Sequence, residues 1–182
     1  MVDSTTETGQ PKSSLRVWSE RLDLVGTSAG KFFAWLILPL MVALVYEVFA
    51  RYVFQAPTVW AYDLTFMLYG AHFMLGAAFT LARGGHIRTD FFYRKWPERM
   101  QASVDLVLYL FFFFPGVGFF LWVSAGFALK SWSQFERIVT SPWLPPVYPF
   151  KTVIPLTAAL LLIQGVSEVL KCIEAIKRGK WS

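Results

Sequence analysis

The chain has 182 residues, of which 55% are hydrophobic and 18% aromatic, against only 16% charged. A soluble domain carries about 25% charged residues, and a core this small cannot hide eight Trp and eighteen Phe, so the composition is that of a small polytopic membrane protein. The net charge of +5 does not call for nucleic acid, because the cations sit between apolar runs, and the single cysteine, Cys172, excludes an intrachain disulfide and any multi-cysteine metal site.

Residues 1–14 are polar and rich in Ser and Thr, the composition of a disordered tail. Over 15–30, Leu15, Trp18, Leu22 and Val25 recur at three- and four-residue spacing, with Arg16, Glu20, Arg21 and Asp23 on the other face. That pattern predicts an amphipathic helix, lying at the membrane surface or docked on a partner. The first apolar run begins near Phe32, after this mixed-charge segment and with no small-residue cleavage site behind it. It reads as a retained span, not as a cleavable signal peptide.

Four spans are expected, at about 32–54, 59–82, 104–129 and 153–170, within a membrane domain over 31–172. Crossing ~30 Å of hydrocarbon takes about 20 helical residues. Pro39 is expected to kink the first span. Glu47 and Arg51 are four apart near its far end and share a face. Gln55 to Thr58 makes a short turn into the second span, so the two spans form an antiparallel hairpin. Arg51 then lies at the same membrane face as Asp63, and the two can pair. Ion pairing is a structural role for Glu47, Arg51 and Asp63; an ion site is the sharper alternative, since intramembrane ionisable groups are functional suspects.

His72, in mid-span, suits an interhelical hydrogen bond better than a ligand role. Arg83-Gly84-Gly85-His86-Ile87-Arg88-Thr89-Asp90 then ends the span with a Gly pair and places cations outside it. His86 and Asp90, four apart, can hydrogen-bond this turn. Residues 87–101 interleave Phe91, Phe92, Trp96 and Met100 with four Arg and Lys, an interfacial pattern that Pro97 divides into two short pieces. In the third span the Phe111–Phe114 run faces lipid or a partner, and Pro115, Gly116 and Gly118 suggest a bend. Residues 130–151 hold Trp132, Phe135, Trp143, Tyr148 and four prolines, a loop along the interface. After the fourth span, 173–182 forms a basic tail.

An even number of spans puts both termini on one side. With them lie 13 of the Lys and Arg residues, against 4 on the other side. The positive-inside rule therefore predicts cytoplasmic N and C termini. Trp18, Trp96 and Trp143 are expected to anchor the chain's depth at the interfaces.

Motifs for enzymatic chemistry are missing: the chain has no P-loop, nucleophile elbow or HExxH. His72 and His86 would stand ~21 Å apart along one helix, too far to hold one haem iron within a single molecule. A haem-bearing redox anchor would need a second chain, and a self-sufficient transporter would need discontinuous helices repeated in two halves. The residues thus describe an accessory or scaffolding membrane subunit.

The segment RYVFQAPTVWAYD (51–63), a small-residue span and GGHIRTDFFY (84–93) together resemble the small membrane subunit, of DctQ type, of tripartite ATP-independent periplasmic (TRAP) transporters. The likeness rests on Arg51, Trp60, Asp63 and the Gly-His-x-x-x-Asp pattern at Gly85, His86 and Asp90, with SPWLPP (141–146) ahead of the fourth span. It covers about residues 30–172, and Asp63 stands where the family often has Glu. The resemblance implies an all-α protein of a bacterial or archaeal cytoplasmic membrane, beside a large, many-spanned subunit. That partner would carry the solute, an organic acid or similar carboxylate, and the coupling sodium ions, so no cofactor is expected on this chain. A periplasmic binding protein would deliver the solute. The small subunit would brace the large one's scaffold in contact with membrane lipids, and its outward loops would help dock the binding protein.

Overall fold

The computed structural model describes residues 14–83 and 96–178. Their elements are α1 (Ser14–Ala34), α2 (Ile37–Tyr52), α3 (Ala61–Ala82), α4 (Glu98–Leu108), a π-helical turn (Tyr109–Phe113), α5 (Phe114–Ser133) and α6 (Tyr148–Arg178). Four helical stretches are long and apolar enough to cross a membrane: Ser14–Tyr52, Ala61–Ala82, Glu98–Ser133 and Tyr148–Arg178. The all-helical, four-span architecture expected from the sequence is therefore present. Gly85, His86 and Asp90 lie outside the described residues.

Prolines mark three of the irregular points, although Pro155 lies inside α6 without ending it. A proline lacks the N–H that would bond the carbonyl four residues back, and its ring crowds that carbonyl. For Pro39 the carbonyl is that of Trp35. Here the chain turns between α1 and α2: Leu38 N–H donates to Trp35 O at 3.1 Å, and Leu36 N–H to Phe33 O at 3.0 Å. The break thus falls one turn ahead of the proline. Pro115 acts in the same way. The π turn ends immediately before it, with Phe114 N–H donating to Tyr109 O. Pro97 stands at the start of α4, where no N–H is needed, and its carbonyl accepts from Met100 and Gln101.

α6 is the hub, packing against α1, α3, α4 and α5, whereas α2 leans chiefly on α3. Most of the buried side chains are small, among them Ala43, Ala61, Ala71, Ala78, Ala102, Ala128, Ala158 and Ala175, with Ser124 and Ser167, beside three leucines and Gln164. Large ones such as Phe73, Phe111, Phe119 and Trp122 point outward. This inverts the order of a soluble protein. Lipid tails are as apolar as Leu, so helices gain from close backbone approach and not from hiding large side chains. Glycine permits the tightest contacts. A Cβ on Gly165 would come within 2.4 Å of the Phe113 ring, one on Gly30 within 2.4 Å of Phe79, and one on Gly26 within 2.6 Å of Gln164 Oε1.

α1 departs from a simple surface helix. It reaches Ala34 and lies against α3 and α6. Ser19 and Gly26 are its buried positions, while Trp18 and Val25 of the apolar stripe are exposed. The reason is chemical as well as steric: Asp23, placed on the polar face, finds its partners on α6.

Candidate functional site

Two polar clusters tie the bundle, one at each end. At the first, Glu47 of α2 organises the turn into α3. Its Oε1 accepts from Arg51 Nε at 3.0 Å, and its Oε2 accepts from the Thr58 backbone N–H at 3.1 Å and from the Thr58 hydroxyl. A carboxylate eleven residues away thus supplies the acceptors for a loop that has left its helix. Gln55, inside this loop, adopts a φ of 51°, and Trp60 stacks on Tyr46 with ring centroids 5.5 Å apart.

Asp63, in the first turn of α3, holds a different segment. Its Oδ2 accepts from Trp143 Nε1 at 2.7 Å and from the Ser141 hydroxyl. Both donors belong to the segment 134–147. That segment is a built hairpin: Ile138 N–H donates to Pro145 O at 3.0 Å and Val147 N–H to Glu136 O at 3.0 Å, around an antiparallel bridge of Arg137 with Pro146. Phe135 and Leu144 have φ of 46° and 51°, a left-handed backbone that bulky residues rarely adopt. Side-chain contacts fasten the hairpin to α5 and α6. Lys151 Nζ lies 2.5 Å from Glu136 Oε2 and 4.0 Å from the Phe127 ring centroid. Trp132 Nε1 donates to Thr152 Oγ1 at 2.8 Å. The Lys151 ammonium holds the Glu136 carboxyl below its ordinary value.

The arrangement brings together most of the sequence candidates but pairs them differently. Arg51 and Asp63, expected as partners across the hairpin, do not meet: Arg51 is taken by Glu47, and Asp63 by Ser141 and Trp143. Trp143, expected only as a depth anchor, is a hydrogen-bond donor to Asp63. Trp18 is exposed, with the Arg21 guanidinium 5.6 Å from its ring centroid, and Trp96 precedes α4, its carbonyl accepting from Gln101. His72 Nδ1 stands 3.4 Å from Phe33 O, an interhelical contact. Among the described residues, no group of three His, Cys, Asp or Glu side chains could hold a metal ion.

The second cluster is one the sequence reading missed. Asp23 Oδ1 accepts from Gln164 Nε2 and from Ser167 Oγ, each at 2.6 Å, while its Oδ2 lies 2.8 Å from Lys171 Nζ. Lys171 also binds Glu168 at 2.7 Å, and Ser167 Oγ donates to Ser19 O. Gln164 is 0% exposed, at the centre of the α1–α6 contact. The available signal was a Gln in an apolar span, with Glu168 one helical turn and Lys171 two turns further on.

The fold and these ties define a multi-pass membrane protein whose helices are held by small residues within and polar clasps at both ends. Residues 40–175 match the family described as "Tripartite ATP-independent periplasmic transporters, DctQ component". The chain belongs to this family. It is also similar to the sialic acid TRAP transporter small permease protein SiaQ of Vibrio cholerae, with 27% identity over 73 residues. That similarity spans 40% of this chain and 42% of the relative's length.

Proposed function

We propose that this chain is the small scaffold subunit of a sodium-coupled TRAP transporter that imports organic acids or similar carboxylates. Its membership of the DctQ component family supports the coarse reading, and the outer-end clasp carries the finer one. Two carboxylates, Glu47 and Asp63, fix the 53–60 turn and the 134–147 hairpin to the ends of the spans. Loops fastened in this way suit a rigid rim that meets other proteins. The exposed aromatic girdle of α2, α3 and α5 suits a large membrane partner and lipid. In this reading the large subunit carries solute and sodium, the termini are cytoplasmic, and the hairpin faces the periplasm, where the binding protein docks.

The test is purification of the tagged chain from its native membrane in mild detergent, with mass spectrometry, an absorption spectrum and liposome transport. The expected result is a stoichiometric many-spanned partner, no chromophore, and sodium-dependent uptake only when both chains and a binding protein are present. A Soret band, or uptake by this chain alone, would overturn the proposal.

A further inference from the structure

A cleft of about 290 Å³ opens between the end of α1 and α3. Phe33 and Phe79 form its apolar walls, Lys31 and Thr80 lie among its lining, and His72 lines it beside Phe33. Gly76 keeps the floor open: a Cβ there would meet nothing within 4 Å. Lys31 is exposed, and Arg83, exposed as well, places its guanidinium 5.1 Å from the Phe79 ring centroid. No carboxylate pairs with either cation among the described residues.

We propose that this cleft binds one anionic phospholipid, an acyl chain lying between Phe33 and Phe79 and the phosphate meeting Lys31 and Arg83. Three observations select that ligand. Phe33, Ala34 and Phe79 make the walls apolar, so hydrocarbon fills them without a polar cost. Arg83 lies over Phe79 and Lys31 lines the same cleft, and an anionic headgroup at a membrane surface gains from each basic residue beside it. Thr80 Oγ1 donates to its own helix at Gly76 O and His72 Nδ1 stands against Phe33 O, so the polar group left facing a ligand's head is chiefly the Lys31 ammonium. The site does not depend on the transporter reading, because any membrane chain meets this ligand. A bound lipid would fill the gap where α1 turns into α2 and stiffen the joint that Pro39 leaves weak.

The test is native mass spectrometry of the delipidated full-length chain in neutral detergent, with phosphatidylglycerol or phosphatidylcholine added in turn. The expected result is one retained phosphatidylglycerol and little retained phosphatidylcholine. The double variant Lys31→Gln, Arg83→Gln should weaken phosphatidylglycerol retention roughly thirtyfold. Both positions are exposed, so the variant keeps its fold. Gly76→Leu should abolish retention of either lipid, while Gly126→Leu, whose added side chain also starts in open space, should leave it unchanged. Equal retention of the two lipids, or retention unaffected by Gly76→Leu, would overturn the proposal. So would a cysteine at position 76 that cross-links in native membranes to a protein partner filling the cleft.

Discussion

Asp63 shows how one carboxylate can hold a loop that lies 78 residues further along the chain. Ionised, it accepts two bonds, from the Ser141 hydroxyl and the Trp143 indole. A hydrogen bond to a charged group contributes about 1.5–3 kcal/mol, and Trp143 is 40% exposed, which places this pair near the lower end. Asp63→Ala should therefore lower thermal stability in detergent modestly and raise amide exchange sharply over 138–144, leaving exchange in α6 unchanged. Unaltered exchange in that segment would show that the backbone bonds hold the hairpin without Asp63. Glu136 adds a pH dependence. Lys151 depresses its carboxyl below the ordinary 4.5, so the folded state binds the proton less well than the unfolded one. The stabilisation is complete above the ordinary value and disappears as pH falls through the depressed one. Protection from exchange over 134–147, taken relative to the intrinsic rate at each pH, should fall on acidification in that window, and Glu136→Gln should remove the step. Neither partnership was legible in the sequence. Asp63 was recognisable as an unusual charge at a span's entry, but contacts across 78 residues leave no periodic trace.

At the scale of elements, hydropathy and proline placement carried most of the information. The four apolar runs, the short turn after Arg51 and the irregularities near Pro39 and Pro115 could all be read from residue order, because each follows from local chemistry. Which face of a helix turns inward was harder. In water the large apolar face is buried, yet here Trp18 and Val25 stay outside while Ser19 and Gly26 are covered. The rule changes with the solvent, and sequence periodicity reports a stripe without saying what covers it. The π turn shows the consequence for packing. It inserts a wider turn before Pro115 and presents Phe113 to Gly165, whose missing side chain makes room for the ring. Gly165→Ala should cost about 1–3 kcal/mol, as overpacking does in a filled interior. Shrinking the ring with Phe113→Leu should recover part of that loss in a double-mutant cycle by detergent unfolding. Additive costs for the two changes would mean that α6 shifts away and that the contact does not set the α5–α6 spacing.

For the molecule as a whole, the two polar clasps fix which ends lie together. Asp23, midway along α1, meets Gln164, Ser167 and Lys171 in the second half of α6, whereas Asp63 at the start of α3 meets the hairpin that leads into α6. The entering and leaving segments therefore share one end of the bundle, and the 53–60 turn and the hairpin share the other. Geometry alone leaves the side of the membrane open, and the charge bias is what carries the expectation of cytoplasmic termini. The N- and C-terminal segments, with the stretch from Arg83 to the first turn of α4, hold 13 of the 17 Lys and Arg residues, and the positive-inside rule expects such segments in the cytoplasm. A green fluorescent protein fused after Ser182 should fluoresce, and alkaline phosphatase fused there should be inactive. Phosphatase inserted at Gln55 should be active. Reversal of all three signals would place the hairpin in the cytoplasm and remove it as a docking rim for a periplasmic protein. Asp23→Ala separates topology from assembly. It leaves the charge bias in place but takes from Lys171 and Gln164 their shared acceptor, so the reporters should keep their pattern while α1 becomes open to protease. A reporter pattern that changed with Asp23 would mean that the α1–α6 clasp, and not the cationic segments, sets the orientation during insertion.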